Sequence, residues 1–450
     1  MASEASNTPI NVTALTEVPD LLALHEADRE RFPFLLESAA QGGSALRTLG
    51  QFDILFCEPE QVICADADTD FFARLDTLAP TSHHLDDETP DLPFRGGWFV
   101  FASYELAGQV ESVLDLPPEP SLPLAFAARV RSAVIVCRQR ERAWLVSEHA
   151  GNSELLEILR ASTTWAGRRE SSDALVTQIE EDAPATYLEA VVQAKEYIAA
   201  GDVFQANLSR EWRASLAPHI QGHDVYRRLR ETNPAPFAGL MYWQGQYVLS
   251  SSPERLARLG EGRIDTRPIA GTRPRGHNAQ HDEALSEQLI EHPKERAEHV
   301  MLIDLERNDL GRVARAGSVR VDEFMVIESY AHVHHIVSNV SGELDEHVGP
   351  GQALRAVYPG GTITGCPKVR CMEIIAELER APRGAYTGAM GYLNHDGSGD
   401  FNILIRTAVC DDTTVRFRAG AGIVADSIPE AELQETRAKA RGLRLALLAS

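Results

Sequence analysis

Strand-forming runs set close together, with too few helices to separate them, constrain this chain more than any other feature. In the second half, GLMYWQGQYVLSS, FMVIESYAHVHHIVSNVSGEL, GAYTGAMGYLN, NILIRTAVC and TTVRFRAG are rich in β-branched and aromatic residues and bounded by turn formers. Several read as hairpin partners, and the elements do not repeat as simple βαβ units. This order disfavours a doubly wound parallel sheet and predicts an α+β layered fold with antiparallel sheets. In the first part, FDILFCEP, GGWFVFASYEL, ARVRSAVIVCR and RAWLVSE are strand candidates, with TSHHLDDETPDLP a loop between them.

Four stretches read as helical. PATYLEAVVQAKEYIAAGD spaces Leu188, Val191, Lys195 and Ile198 along one helix that opens with a proline and ends at Gly201. HDEALSEQLIEHPKERAEHVMLIDLERNDLGRV contains a helix feeding an apolar stretch, CPKVRCMEIIAELER opens one at Pro367, and PEAELQETRAKARGLRLALLA forms the last. Between RASTTWAG and EEDAP the strand pattern is lost. The expected division is a β-rich N-terminal part over 1–160, a connector over 161–185 and a catalytic domain over 186–450, packed together as one unit.

The 43 Lys plus Arg against 66 Asp plus Glu give a formal charge of -23, which opposes binding to nucleic acid or to an anionic membrane face. The N-terminal MASEASNTPINVTALTEV has neither the basic region nor the apolar run of an export signal, and no run is long enough to span a bilayer, so a cytoplasmic location is expected. None of the 6 cysteines forms a CxxC pair, and reduced, mostly buried thiols are expected.

Among segments that could carry chemistry, YPGGTITGCPKVR (Tyr358–Arg370) resembles a phosphate loop at first sight. A GxxxxGK[ST] loop needs its lysine directly after the last glycine, but Cys366 and Pro367 stand between Gly365 and Lys368. Two readings survive: a turn bringing Thr362 and backbone amides to an anion at a helix mouth, or a tight turn with Thr364 or a neighbour capping the helix. Glu295 and Glu298 are three apart, as are Glu432 and Glu435, so each pair can share a helix face. Converging, the pairs would suit a partly hydrated Mg2+ shared with a substrate carboxylate; apart, they are solvated helix charge. In SYAHVHHIVS, alternation puts His332 and His334 on one strand face and His335 on the other, a weak pattern for zinc and a better one for a single histidine aimed into a cleft. Arg406 in NILIRTAV is either a charge near a strand end or a carboxylate clamp, and Gly420 and Gly422 can bring main-chain amides to an acidic ligand.

The segments PIAGTRPRG, RAEHVMLIDLERNDLGRV, PGGTITGCPKVRCMEII and GAGIVADSIPEAELQET resemble the chorismate-utilising enzymes over nearly the full chain. The resemblance implies a large α+β sandwich that binds chorismate with Mg2+ in a cleft between its layers. It implies Glu298 and Glu435 as magnesium ligands, with Glu295 and Glu432 completing the acidic shell, and Glu254 as the acid serving the departing hydroxyl. His335, Thr362, Tyr386, Arg406, Lys439 and the Gly420, Ala421 and Gly422 backbone would hold the ring and its carboxylates, with the Ala270, Gly271 and Thr272 segment beside them.

Members that add water carry a lysine where this chain has Gln205. An amide cannot deprotonate water, whereas ammonia needs no such base, so the resemblance implies amination. PGGTITG, the VHH of AHVHHIVS and the ILIRT of NILIRTAV resemble the branch that aminates C4 and retains the enolpyruvyl group, making 4-amino-4-deoxychorismate for 4-aminobenzoate and folate. The alternatives are amination at C2 with loss of pyruvate, as in anthranilate synthesis, and a non-catalytic metabolite binder. Ala270 departs from the C4 branch, whose well-known members place a nucleophilic lysine there; a methyl group cannot be a nucleophile. The LLES run (Leu36, Glu37, Ser38) with Asn233, Pro234, Pro236 and Phe237 resembles the family's tryptophan pocket, the alternative being a hydrophobic helix end. There is no glutaminase motif such as GxCxGxQ, so a separate glutamine amidotransferase subunit is the expected source of ammonia.

Overall fold

The computed structural model describes residues 10–38, 51–66, 69–79, 91–149, 153–162, 174–330 and 333–448. At its centre lie two antiparallel sheets. One has 12 strands in the order Asn11–Ala14, Arg142–Ser147, Ser132–Cys137, Phe52–Cys57, Phe34–Glu37, Phe237–Trp243, Gln246–Ser252, Thr407–Cys410, Thr414–Ile423, Gln205–Leu216, Gly365–Cys366, with Val176–Glu181 also paired to Gln205–Leu216. The other has 10, in the order Ile269–Pro274, Val333–Glu343, Arg263–Arg267, Arg255–Gly260, Gly399–Ile403, Ala389–Asn394, Gly97–Ala102, Ala125–Val130, Gln61–Cys64, with Arg320–Ser329 on Val333–Glu343. Each sheet draws strands from both ends of the chain.

Gly97–Ala102 and Ser132–Cys137 are buried at every position, because helices cover the outer face of each sheet and the other sheet covers the inner one. Alternation then sorts the side chains. Phe99 and Phe101 enter the inter-sheet core with Phe34, Phe56 and Phe126, while Trp98 and Val100 turn outward to Phe71, Phe72 and Leu75 of helix Phe71–Leu78. Phe34 of one sheet stacks on Phe99 of the other at 4.1 Å, and Phe126 on Trp243 at 4.3 Å, contacts that tie the layers together. Helices Leu21–Ala27, Gly222–Thr232 and Pro429–Leu447 pack on the 12-stranded sheet, and Phe71–Leu78, Pro293–Gly311 and Pro350–Val357 on the 10-stranded one. The result is a helix–sheet–sheet–helix sandwich, the layered α+β fold expected from the sequence. Among the described residues no helix is long and apolar enough to cross a membrane.

Several local expectations need correction. VTQIEE, assigned to the connector, is the strand Val176–Glu181, paired to Gln205–Leu216; its polar positions face outward at the sheet's edge. Residues 163–173 of that connector, and 81–90 of the TSHHLDDETPDLP loop, lie outside the described residues. LLES is not a helix end, since Phe34–Glu37 is a strand between Phe52–Cys57 and Phe237–Trp243. The long helix after HDEAL divides into Ala279–Glu291 and Pro293–Gly311, because Pro293 has no N–H to continue the first, and His292 caps the second by accepting the Glu295 amide at 3.4 Å. In GAYTGAMGYLN only Ala389–Asn394 is strand, and Thr387 ahead of it has φ 64.

Candidate functional site

Two chain crossovers between the sheets, lying side by side, build the centre of the site. Gln246–Ser252 of the 12-stranded sheet passes through Glu254 into Arg255–Gly260 of the other, and Gly399–Ile403 of that sheet passes through Arg406 back to Thr407–Cys410 of the first. The crossovers are stitched by Ile403 N donating to Glu254 O at 3.0 Å, Ser252 Oγ to Ile403 O at 2.5 Å and Ser251 N to Arg406 O at 3.1 Å. Arg406, expected inside a strand, therefore sits in the break with φ 50, a left-handed conformation that costs a non-glycine residue energy and recurs at functional sites.

Glu254 is 4% exposed, and Thr362 Oγ1 donates to its Oε1 at 2.7 Å. Burial pushes its carboxyl up to about 7, against the Thr362 bond, the Ile269 amide and the charges of Lys439 and Arg406. Much of it is thus protonated near neutrality, as a general acid requires. Thr362 spends its hydroxyl on this carboxyl. Thr364 does not cap the following helix: its hydroxyl donates to the Gly360 and Gly361 carbonyls at 3.0 and 3.2 Å, and Pro367 is the N-cap of Lys368–Glu379. The loop's lysine is taken as well, with Lys368 Nζ 2.5 Å from Asp309.

Arg406 makes no ion pair among the described residues, although burial lowers its pKa and only Tyr330 and Glu254 counter this. Its guanidinium stays cationic and free to take an anion. His335 is 3% exposed; its Nδ1 lies 3.1 Å from Gly271 O and 3.0 Å from Thr272 Oγ1. A carbonyl only accepts, so Nδ1 carries the proton and Nε2 presents a bare lone pair with no partner. Burial, then Arg406, push this ring down to about 3, so it is neutral at working pH. His334 faces the other way, with Nε2 2.9 Å from Asp282 and Nδ1 2.7 Å from Ser329, and His332 lies outside the described residues. Gly271, at φ 60, marks a register shift between Ala270 and Thr272, and a Cβ there would sit 3.0 Å from Glu295.

Opposite these groups, Gln205 and Asn207 on Gln205–Leu216 face Gly422 and Gly420 on Thr414–Ile423. A Cβ at Gly422 would meet Gln205 Nε2 at 2.6 Å, and one at Gly420 would meet Asn207 Oδ1 at 2.7 Å and Tyr386 Oη at 2.8 Å. The two glycines, with Ala421 buried between them, hold open a cradle that any side chain would fill. Beneath it Glu379 pairs with Arg383 at 2.6 Å and Arg418 at 3.0 Å, and Arg383 lies 5.5 Å from the Tyr386 ring centroid.

The four glutamates come from the first turns of two helices or just beyond. Burial, then repulsion from Glu295 and Glu435, raise Glu298; burial outweighing a Ser427 bond, with repulsion from Glu435, raises Glu432. Carboxylates that oppose one another's charge, near two helix N-termini, are a donor set suited to a hard cation. In this structure Glu295 pairs with Arg273 at 3.2 Å and Glu435 with Lys439 at 2.8 Å. The four do not bring their oxygens together as tightly as Glu26, His223 and Asp224, the one group among the described residues with ligand atoms mutually within 4.8 Å. Desolvation opposes the Lys439 charge, and Glu435, Tyr386 and Glu298 outweigh it.

On the far side of the Glu254 crossover is a cavity of about 1010 Å³. Leu36, Glu37, Ser38, Pro236 and Phe237 line it, as does Arg255, whereas Asn233 and Pro234 do not. Asn233 instead donates to Ser251 Oγ at 3.0 Å. Glu37 is held by Tyr226, Arg230 and Arg138 at 2.8, 3.1 and 3.2 Å, and Ser38 Oγ is buried without a partner among the described residues. None of the groups expected to hold chorismate lines this cavity.

Glu306 and Asp309, behind Glu254, were not among the residues expected at the site, and Lys368 was weighed only as the lysine of a phosphate loop. A signal was present: Glu306 and Asp309 repeat the three-residue spacing of Glu295 and Glu298 further along the same helix.

A family model described as chorismate binding enzyme matches residues 32–444. Aminodeoxychorismate synthase component 1 of Bacillus subtilis is 41% identical over 391 residues, covering 84% of this chain and 81% of its own length. Anthranilate synthase component 1 of Thermus thermophilus is 39% identical over 448 residues, covering 95% and 94%. The crystal structure of anthranilate synthase component I from Streptococcus pneumoniae superposes with a TM-score of 0.79 at 31% identity, covering 88% of this chain and 92% of that one. With the sandwich, the buried carboxyl at the crossover and the glycine cradle described, the family match over residues 32–444 places the chain in the chorismate binding enzyme family, as an enzyme that uses chorismate.

Proposed function

We propose that the chain aminates chorismate at C4, giving 4-amino-4-deoxychorismate, with ammonia delivered by a separate glutamine amidotransferase subunit. The observation that carries amination is Gln205, 2% exposed and set against Gly422 in the cradle. A water-adding enzyme needs a titrating base there, and an amide supplies none. Glu254 gives its proton to the departing hydroxyl. Arg406 and Lys439 take the substrate's carboxylates, the Gly420–Gly422 backbone and Tyr386 shape the opposite wall, and neutral His335 offers Nε2 as an acceptor. Glu298 and Glu435, backed by Glu295 and Glu432, would hold Mg2+, which when bound supplies positive charge opposite a substrate carboxylate. The PGG, VHH and ILIRT segments favour C4.

Ala270 favours a second reading, C2 amination with pyruvate loss, since the C4 branch's nucleophilic lysine is missing; relatives of both kinds are similar in identity, 41% and 39%. The cavity beside Ser38 suits an amino acid such as tryptophan, as inhibitor or as structural ligand. Incubating the purified chain with chorismate, ammonium and Mg2+ separates the two readings. C4 amination yields a product that keeps the enolpyruvyl group and becomes 4-aminobenzoate only when a lyase is added. Direct release of fluorescent anthranilate overturns it. For the metal set, Glu298→Gln should weaken Mg2+ binding measured calorimetrically without turnover, and unchanged binding removes Glu298 from it.

A further inference from the structure

Behind Glu254 lies a second buried carboxyl with no part in the chemistry above. Glu306 on helix Pro293–Gly311 is 6% exposed and Asp309, one turn on, 3%. Asp309 takes the Lys368 ammonium at 2.5 Å, and among the described residues Glu306 forms no ion pair. Glu306 Oε1 lies 3.2 Å from the position of a Cβ on Gly361, so its carboxyl abuts the turn whose next residue, Thr362, holds Glu254. Facing Glu306 are Asp309, Lys368, Thr266 and Glu254; facing Glu254 are Thr362, the Ile269 amide, Lys439 and Arg406. Three carboxyls thus share one dry region, the lysine nearest Glu306 is committed to Asp309, and the three cannot all ionise. Burial first, then repulsion from Asp309, hold Glu306 well above the carboxylate range, with Lys368 opposing.

We propose that Glu306 is a proton store that reloads Glu254 between turnovers across the Gly361–Thr362 turn, an inference that rests on Glu254 being the acid. In the reaction the Glu254 proton goes to the departing oxygen, the C–O bond breaks with its electron pair leaving on water, and the ammonia lone pair forms the C–N bond. The new ammonium sheds one proton to solvent. Glu254, now a carboxylate with product still in the cleft, takes a proton from the Glu306 carboxyl, and Glu306 recovers one from solvent on the Lys368 side, where that side chain is 11% exposed.

The test compares the first turnover with the steady state in Glu306→Gln, reading chorismate consumption with ammonium and Mg2+ present. The expected result is a first turnover within about twofold of wild type and a kcat lowered at least about tenfold, with the loss growing as pH rises. A structural role predicts that both rates fall together, and equal loss, or no loss, overturns the proposal. A second measurement does not depend on that variant's folding. In Glu254→Gln, infrared spectra near neutral pH should still show the carbonyl stretch of a protonated buried carboxyl, and its absence overturns the store. Either amination product serves the kinetic readout, so release of anthranilate would refute C4 amination and leave Glu306 standing.

Discussion

Replacing Glu254 with glutamine should stabilise the fold while removing the acid. At 4% exposure the Glu254 carboxyl titrates at about 7 instead of its ordinary 4.5, so the folded chain binds this proton more tightly than the unfolded chain does. The sign follows from linkage: the contribution to stability is greatest below 4.5, is lost progressively as pH climbs to about 7, and is constant above that. The interval between 4.5 and about 7, at ~1.36 kcal/mol per pH unit, amounts to ~3 kcal/mol of destabilisation at mildly alkaline pH. Glutamine keeps the shape and still accepts the Thr362 hydroxyl through its carbonyl oxygen, but carries no charge to bury. For 450 residues at ~2.1 cal/mol/K each, ~3 kcal/mol corresponds to a rise in Tm of ~3 °C. Differential scanning calorimetry of both chains from acid to mildly alkaline pH should show equal Tm values below 4.5 and a gap that opens through the interval and then levels off. Turnover should fall by about two to four orders of magnitude. A Tm difference that does not change with pH, or a variant less stable than wild type in mild alkali, would refute the assignment of a buried, proton-holding carboxyl.

Arg383→Met leaves Glu379, 3% exposed at its side chain, with Arg418 as its one cation among the described residues, and urea unfolding should show a loss of about 3–5 kcal/mol. Gly422→Ala places a Cβ 2.6 Å from Gln205 Nε2; the KM for chorismate should rise with a stability loss of about 1–3 kcal/mol by denaturant titration. Ala270→Lys should accumulate a covalent chorismate adduct visible by intact mass if position 270 faces C2, and no trapped adduct would count against that geometry. Ser38→Phe fills part of the 1010 Å³ cavity and should abolish any thermal shift that tryptophan produces in the wild-type chain.

Fold class was legible because it depends on the order of strand-rich and helix-rich runs, which survives errors at individual boundaries. The connector was misread for a local reason. Val176–Glu181 is an edge strand with only Val176 buried, Thr177 and Gln178 both facing solvent where the register shifts, and so few apolar residues resemble linker composition. LLES failed differently, since an apolar run of that length fits a buried strand or a helix end equally well, and pairing with Phe52–Cys57 and Phe237–Trp243 decides between them. The glutamate pairs were visible from spacing alone. That Glu295 is paired to Arg273 was not, because that contact joins a helix to a distant strand, whereas Glu435 and Lys439 are an i,i+4 pair on one helix.

The centre of the site was hidden by the feature that creates it. NILIRT reads as uninterrupted strand and GLMYWQGQYVLSS as a strand that stops short of Glu254, yet at Glu254 and Arg406 the chain leaves one sheet for the other, and sequence periodicity carries no mark of which sheet a strand joins. A crossover needs an irregular backbone, which is why Arg406 adopts φ 50 and why the acid and the cation fall at neighbouring breaks, stitched by Ile403 and Ser251. It also turns successive side chains to opposite sides: Glu254 faces Thr362 and the cleft, and Arg255 faces the cavity, bound to Asp400 at 2.7 and 2.8 Å. An ion pair that fixes Arg255 thereby fixes the backbone carrying the acid. Asp400 lies on Gly399–Ile403, the strand that leads into Arg406, so cutting the pair with Asp400→Asn loosens both crossovers and should lower kcat and raise the KM for chorismate together. A kcat that falls with KM unchanged would show that the pair steadies the Glu254 crossover alone.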